Sequence, residues 1–442
     1  MTPSYAYPTA RNGMRISLSS IMVFFAVIVF SGAFIEQWIF GPGFDRNISF
    51  SDRILNTSKF IPVYLFFMLR LMKSKRALRI NLYYQWPIVL FAGFYIASSA
   101  WSMDYVFSFI NAMIFLCTIL TAWGIASTLR YDQFLKAAFY ALLVIAAGSL
   151  LYILFLPSYG VMRGVDQESF TNLAGLPQGV FKHKSRLAEI MSIAFIVSFF
   201  SKGYIKRSHR FLLAGLSAYL LLSTEASLKT AGLIGSISVM FAWELFVQTF
   251  RDKVISSVMA SIAFLVPALV FIALIQTVLL ASGEDMTLTG RTIIWEHAVQ
   301  VAMRSPIIGF GPSSIWGSAL GFVPELPLFK IPHAHNTFLE LFLQTGFLGL
   351  GMVLWYLARC LGLVLYGHNE INSRSRIAFL IVWSGLARST FEFGLFQGNN
   401  LSFLFMLIVV SYQFLQKADV HSLSKPSAID SNTVGWKHPT KA

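Results

Sequence analysis

Residues 106–127 read VFSFINAMIFLCTILTAWGIAS, a run of 22 residues without a charged side chain. Residues 134–156 follow as FLKAAFYALLVIAAGSLLYILFL, which contains a single lysine. An α-helix needs about 20 mainly apolar residues to cross the hydrocarbon core of a bilayer. The two windows therefore predict two consecutive transmembrane helices joined by a short polar turn.

Similar windows recur along the whole chain of 442 residues, of which 56% are hydrophobic and 12% are charged. An ordinary soluble domain carries about 25% charged residues, so this composition excludes a soluble multidomain enzyme. It predicts an all-α polytopic integral membrane protein with about 12 transmembrane helices. The windows lie at 18–40, 56–72, 84–101, 106–127, 134–156, 185–200, 210–224, 228–249, 254–280, 338–365, 376–391 and 399–416.

The windows also predict how the chain is organised across the membrane. Two connections are long, and the second of them is expected to contain short helices. The predicted segments are a cytoplasmic N-terminus at 1–17, transmembrane helices 1–9 at 18–280 with an outward-facing loop at 157–184, a large outward-facing loop at 281–337, transmembrane helices 10–12 at 338–416 and a cytoplasmic tail at 417–442.

The basic excess follows this topology. The chain has 34 Lys and Arg against 20 Asp and Glu, a net charge of +14. With both termini in the cytoplasm and twelve spans, 22 of the 34 basic residues face the cytoplasm and 12 face outward, as the positive-inside rule requires. We therefore attribute most of the charge to orientation in the membrane and expect no nucleic-acid partner.

The outward basic residues oppose the orientation rule, so we ask what they bind. An anionic substrate at the outer leaflet is one explanation. The other is that these are solvated loop charges, paired with Asp166, Glu168, Glu284 and Asp285. The outward basic residues of interest are Arg163, Lys184, Arg186, Lys229, Arg291 and Arg388.

The second long loop predicts a short amphipathic helix at its start. Residues 291–302 read RTIIWEHAVQVA, with apolar residues at helical spacing, and the Ser-Pro pair at 305–306 is expected to end the helix. Arg291 falls in the first turn, where a cation gains nothing from the helix dipole. This placement suggests that Arg291 faces a bound partner.

The same loop ends in residues 332–340, which read PHAHNTFLE. Asn336 or Thr337 is suited to cap the following helix, and this places His335 at the membrane surface beside a helix N-terminus that favours anions. His335 has three interpretations: a metal ligand, a hydrogen-bonded loop residue, or a general base near pH 7. A metal site is disfavoured because no third ligand follows at a usual interval.

Taken together, several segments closely resemble the O-antigen ligase and polysaccharide polymerase superfamily, most of all its exopolysaccharide-polymerase branch. They cover residues 100 to 400 in the expected order. The segments are AWSMD at 100–104, GVFKHKSRLA at 179–188, SLKT at 227–230, TLTGRT at 287–292 with Trp295, SPIIGFG at 305–311, and HAHNTFLE at 333–340 with Gly346 and Gly349.

The sequence departs from the family pattern in one segment. Ser185 stands where the family usually has Asn, and Ala188-Glu189 replaces the usual Gly. These differences leave open whether Lys184 or Arg186 reaches the substrate.

The resemblance implies a glycosyltransferase that moves a glycan from an undecaprenyl-pyrophosphate carrier to a hydroxyl, with inversion at C1 and without a cofactor or a required metal. Arginines suit the phosphates of such a donor. By this resemblance, Arg291 and His335 are the catalytic residues, His335 taking the acceptor proton. Asn336 and Glu392 would hold the acceptor. The donor-binding residues would be Lys184 or Arg186, with Arg163, Lys229 and Arg388.

Three functions are compared. The first is a polymerase that joins lipid-linked repeat units of a secreted polysaccharide, with a flippase and a chain-length-regulating copolymerase as further candidate partners. The second is a ligase that transfers O-antigen to lipid A-core. The third, from another class, is a secondary transporter, which the scarcity of ionisable residues in the middle of the spans disfavours.

Overall fold

A computed structural model describes residues 17–40, 55–163, 173–249, 291–313, 315–316, 321, 333–366, 373–390, 392 and 394–424. Several predicted segments lie outside these residues. They are the predicted span at 254–280, nearly all of the predicted N-terminal segment, the greater part of the tail, the first four residues of TLTGRT and most of the second loop between 317 and 332.

The described residues are helical, apart from their connections and an isolated antiparallel bridge between Val161 and Pro177. Two very short helices, Ser98–Trp101 and Pro157–Gly160, lie in connections. The longer ones are α1 Leu18–Ser31, α2 Ile35–Phe40, α3 Ile61–Lys73, α4 Lys75–Ala97, α5 Tyr105–Thr128, α6 Tyr131–Phe155, α7 Lys184–Phe200, α8 Arg207–Ser223, α9 Ser227–Thr249, α10 Arg291–Ala302, α11 Thr337–Tyr366, α12 Ser373–Ser389 and α13 Leu401–Ser424.

Four stretches among the described residues are long and apolar enough to cross a membrane: Tyr105–Thr128, Tyr131–Phe155, Thr337–Val364 and Leu401–Asp419. The shorter helix Leu18–Ser31 is also apolar. The chain is therefore a multi-pass membrane protein whose described residues form helices and their connections, as the composition predicts. The expected total of about 12 spans stays a prediction.

The first predicted window, 18–40, does not form one continuous helix. α1 ends at Ser31, and Gly32 caps it by donating its backbone N–H to the carbonyl of Val29 at 3.2 Å. Phe34 then donates its N–H to the carbonyl of Val180 at 3.0 Å, so the chain turns toward the first long connection before α2 begins. Apolar residues run through the turn, and the window therefore gave no sign of the break.

α11 crosses the segment 305–312 at very short range. A Cβ atom on Gly346 would lie 2.3 Å from the backbone of Ile307, and one on Gly309 would lie 2.4 Å from the backbone of Gln344. The close approach lets Phe310 and Gly311 donate to the carbonyls of Leu343 and Gln344 at 3.0 and 2.9 Å. Only glycine permits this approach, which fixes the second loop against the membrane helix.

The same segment also contacts the AWSMD turn. Trp101 donates its indole N–H to the carbonyl of Gly309 at 3.3 Å, and Ser108 donates its hydroxyl to the carbonyl of Pro312. Asp104 caps α5 by accepting from the backbone N–H of Phe107 at 3.1 Å. Two stretches of the resemblance, about 200 residues apart in sequence, therefore meet at one end of the helix bundle.

Candidate active site

Residues 333–336, here termed the HAHN segment, lead directly into α11. Asn336 is the N-cap, because its side-chain oxygen accepts from the backbone N–H groups of Phe338 and Leu339 at 2.9 and 3.0 Å. The amide nitrogen of Asn336 donates to the carbonyl of Thr390 at 3.1 Å. The cap is thus Asn336 rather than Thr337, and it connects α11 to the end of α12.

The two histidines of the HAHN segment contact each other. His335 has a left-handed backbone with φ of 51°, which is uncommon for a residue other than glycine. Its backbone N–H donates to Nδ1 of His333 at 3.2 Å, and the two ring centroids lie 4.3 Å apart. Because Nδ1 of His333 accepts this bond, the neutral ring carries its proton on Nε2.

Glu340 fixes the HAHN segment through hydrogen bonds. This buried carboxylate accepts from the backbone N–H of Ala334 at 2.8 Å, from the indole of Trp316 at 2.9 Å and from the amide of Gln344 at 2.7 Å. The sequence reasoning did not single out Glu340. A carboxylate in the first turn of an otherwise apolar window was the available signal, since such residues inside membrane helices are commonly functional.

The amphipathic helix of the second loop, α10, lies against the HAHN segment. The indole of Trp295 donates to the carbonyl of Ala334 at 2.9 Å, and Arg291 is the first residue of the helix. Desolvation is the main cause that lowers the pKa of His333 from 6.5 to about 4. The negative charge of Glu392 opposes this shift, and the positive charge of Arg291 adds to it. Arg291 and Glu392 are therefore both within electrostatic range of His333.

A buried carboxylate, Glu189, forms ion pairs with basic residues from two helices. Its carboxylate lies 2.8 Å from Nη1 of Arg186 on the same helix and 3.4 Å from Nη1 of Arg388 on α12. Ser402 on α13 donates its hydroxyl to the same carboxylate. This arrangement joins α7, α12 and α13 at the end of the bundle that carries the HAHN segment, here termed the site end.

Lys229 forms a second ion pair beside this group. Its ammonium lies 2.9 Å from Oε1 of Glu392 and donates to the backbone carbonyl of Ser185. The backbone carbonyl of Glu392 accepts from the hydroxyl of Thr337 at 2.7 Å, which brings this pair next to the HAHN segment. The name charge cluster is used below for Arg186, Glu189, Lys229, Arg388 and Glu392.

The structure brings together most of the residues that the sequence reasoning selected. Direct contacts join Arg186, Lys229, Arg388, Glu392 and Asn336 through the charge cluster and the start of α11. Arg291 and His335 join them through His333 and α10. Arg163 differs: it is exposed after the Val161 bridge, and none of these ion pairs, among the residues that the structure describes, includes it.

The guanidinium group of Arg186 is held by several groups of the protein. Besides Glu189, Arg186 donates Nε to the carbonyl of Ser31 at 3.0 Å and Nη2 to the carbonyl of Phe30 at 2.9 Å. Each nitrogen of this guanidinium therefore has a partner inside the protein. Lys184 begins α7 and is half-buried.

The charge cluster holds more positive than negative charge. Its three cationic side chains, Arg186, Lys229 and Arg388, face two carboxylates, a count that covers only these described residues. Positive charge removed from water is costly unless an anion compensates it. The arrangement is therefore suited to bind an anion. The described residues contain no group of three His, Cys, Asp or Glu arranged for a metal ion.

Comparison with known proteins supports the resemblance over part of the chain. Residues 211–354 match a family model described as O-antigen ligase, and this range contains Lys229, Arg291 and the HAHN segment. The resemblance to the O-antigen ligase and polysaccharide polymerase superfamily is thereby confirmed.

A particular relative supports the same class. The exopolysaccharide production protein ExoQ of Rhizobium meliloti (strain 1021) is 31% identical over 156 residues. The alignment covers 30% of this chain and 33% of ExoQ, so the match spans about one third of that relative's length.

Proposed function

We propose that this protein is a membrane glycosyltransferase that polymerises undecaprenyl-pyrophosphate-linked repeat units of a secreted polysaccharide at the periplasmic face of the bacterial inner membrane. One observation carries the proposal: three cationic side chains share two carboxylates beside two histidines at one end of the helix bundle. A lipid pyrophosphate supplies the anion, and a histidine beside it supplies the base. The similarity to ExoQ supports a polymer of secreted sugar as the product.

The donor side of the reaction uses the cations. As the bond between C1 of the donor sugar and the phosphate oxygen breaks, its electron pair stays on the phosphate, and negative charge grows there. Arg291, Lys184 and Lys229 hold the pyrophosphate and stabilise this charge through fixed positive groups. Arg388 and Arg186 shape the site through Glu189, and Arg163 contributes at the entrance.

The acceptor side of the reaction uses the HAHN segment. The hydroxyl oxygen of the acceptor sugar attacks C1 from the face opposite the leaving phosphate, so the new glycosidic bond has inverted configuration. The imidazole of His335 takes the hydroxyl proton as general base. Asn336 and Glu392 lie next to this position and orient the acceptor. No metal or cofactor takes part in the proposed steps.

A ligase is the second candidate, and the family model described as O-antigen ligase is the observation in its favour. The donor chemistry is identical, and the acceptor is then lipid A-core in place of the next lipid-linked repeat unit. Analysis of cell-surface glycans distinguishes the two functions. Loss of a polymerase leaves products with a single repeat unit, whereas loss of a ligase leaves polymer on its lipid carrier. The comparisons give no support to a transporter.

The first test is substitution of the two catalytic candidates in cells. We expect Arg291→Ala and His335→Ala each to abolish polymer while the amount of protein in the membrane persists. Matched controls are Arg304→Ala, an exposed arginine in the segment after α10, and His209→Ala at the start of α8. Normal polymer in the Arg291 or His335 variant would remove that residue from the mechanism. A flippase and a chain-length-regulating copolymerase are the partners that we expect in those cells.

A further inference from the structure

The ion pair between Lys229 and Glu392 has one buried and one accessible member. The side chain of Lys229 is 8% exposed, whereas that of Glu392 is 30% exposed. The ammonium also donates to the backbone carbonyl of Ser185, a group fixed in the first turn of α7. The carboxylate of Glu392 is therefore the member of this ion pair that solvent reaches more readily.

Glu392 lies outside the helices, in the connection between α12 and α13. Its backbone is held by the hydroxyl of Thr337, but its carboxylate is held by Lys229. Rotation of this side chain therefore frees the ammonium without displacing either helix. Glu189 and Arg388 are the other charged groups within electrostatic range of Lys229, and both are committed to the neighbouring ion pair.

A buried ammonium needs an anion when no substrate is bound. A carboxylate of the protein meets this need but occupies the position that a phosphate oxygen requires to reach Lys229. A pyrophosphate carries more negative charge than one carboxylate and offers several oxygens, so it competes for the ammonium where a singly charged ligand does not.

We propose that Glu392 is an internal counter-ion that occupies the anion position on Lys229 and that the donor pyrophosphate displaces it on binding. This inference rests on the proposed function, because it assumes a pyrophosphate donor at the site end. It assigns to Glu392 control of donor affinity and of selection against singly charged ligands, in addition to any contact with the acceptor.

The test measures the affinity of the full chain, purified in lipid nanodiscs, for inorganic pyrophosphate. Glu392→Gln removes the competing charge, so we expect pyrophosphate to bind about tenfold more tightly. Glu392→Asp retains the charge and should bind like the wild type. Lys229→Met should lose most of the affinity.

Glu36→Gln is the matched control. Glu36 pairs with Lys59 at 3.2 Å, with side-chain exposures of 33% and 8% that closely match those of Glu392 and Lys229. This substitution removes the same charge from a comparable ion pair at the same end of the bundle. We expect it to leave pyrophosphate affinity unchanged.

The outcomes separate this inference from the proposed function. If the wild type binds pyrophosphate but Glu392→Gln binds with equal or lower affinity, the counter-ion role is wrong and donor binding stands. An equal gain in Glu36→Gln would also overturn it, because the effect would then be one of general charge. If neither the wild type nor any variant binds pyrophosphate, and cells with Arg291→Ala make normal polymer, both proposals fail.

Discussion

Glu189 and Glu244 are buried carboxylates on neighbouring helices, but they pair with arginine in different ways. Glu244 lies toward the end of α9 and receives two bonds from one guanidinium, that of Arg376, at 2.7 and 2.8 Å. Glu189 lies at the site end, where Arg186 and Arg388 share it. The end that holds Glu244 is termed the far end below.

The two ends of the bundle therefore differ in how their carboxylates compensate the positive charge of the arginines. At the far end, Glu244 neutralises one arginine whose side chain is 36% exposed, so the pair is complete without a ligand. At the site end, one carboxylate serves two guanidinium groups that are 25% and 9% exposed. A shared carboxylate leaves positive charge in a place with little water, and that charge attracts an anionic ligand.

The largest effect is expected when the shared carboxylate is neutralised. Glu189→Gln leaves two poorly hydrated guanidinium groups facing each other and should lower the free energy of unfolding by about 3–5 kcal/mol. Glu244→Gln leaves an arginine that reaches water, so its loss should be about 1 kcal/mol. Denaturant unfolding of both purified variants measures the contrast. Equal losses would remove the distinction between the two ends.

A third buried carboxylate, Glu340, serves backbone and indole N–H groups in place of cations. Glu340→Gln places an amide group where these donors require an acceptor, and the HAHN segment should shift. We expect the rate of glycan transfer to fall by about 10–100-fold while donor affinity changes little. Glu296→Gln, an exposed residue of α10, is the control. An unchanged rate would show that Glu340 does not position the histidines.

The titration of His333 reports the charges around it. Its lowered pKa means that the ring is neutral above pH 4 and gains a proton only as the pH falls through about 4. The folded state favours the neutral ring. The contribution of His333 to the free energy of unfolding is therefore fully present above pH 6.5 and is lost as the pH falls toward 4. Arg291→Met should raise the midpoint, and Glu392→Gln should lower it.

Selective histidine labelling and NMR, with His333→Asn to assign the signal, measures these midpoints. An Arg291→Met midpoint equal to that of the wild type would place Arg291 away from the HAHN segment. A Glu392→Gln midpoint above the wild-type value would contradict the electrostatic role assigned to that carboxylate.

The smallest effect is expected for an exposed ion pair. Arg76 and Asp419 lie 2.6 Å apart, but their side chains are 69% and 60% exposed. Arg76→Ala should change the free energy of unfolding by less than about 0.5 kcal/mol and leave glycan transfer unchanged. A loss comparable to that of Glu189→Gln would show that burial does not decide the value of these pairs.

Much of the fold was predictable from the sequence because membrane helices carry their signal locally. The windows at 106–127 and 134–156 correspond closely to α5 and α6, since about 20 apolar residues suffice to mark each helix. The break at Gly32 was missed because apolar residues continue through it. A hydrogen bond to distant Val180, invisible in a local window, accompanies that turn.

The residue types of the candidate site were predictable from the sequence, but the ion pairs between these residues were not. Motif spacing marked Arg291, His335 and Asn336, and the structure brings them together. The sharing of Glu189 by Arg186 and Arg388 was not visible, because Arg388 lies about 200 residues away in sequence and only packing of α12 on α7 creates the contact. The same reason explains why Glu392 emerged as the partner of Lys229 only in the structure.

The most direct test of the account supplies purified protein with a synthetic repeat unit linked to undecaprenyl pyrophosphate and follows the products by mass spectrometry, with and without a chelator. The account predicts glycans of two or more repeat units together with free undecaprenyl pyrophosphate, unaffected by the chelator. It also predicts that Arg291→Ala forms neither product and that Arg304→Ala forms both. Two results would contradict the claim that the cationic site end performs glycan transfer. One is an unchanged substrate after incubation with folded wild-type protein, and the other is full turnover by Arg291→Ala.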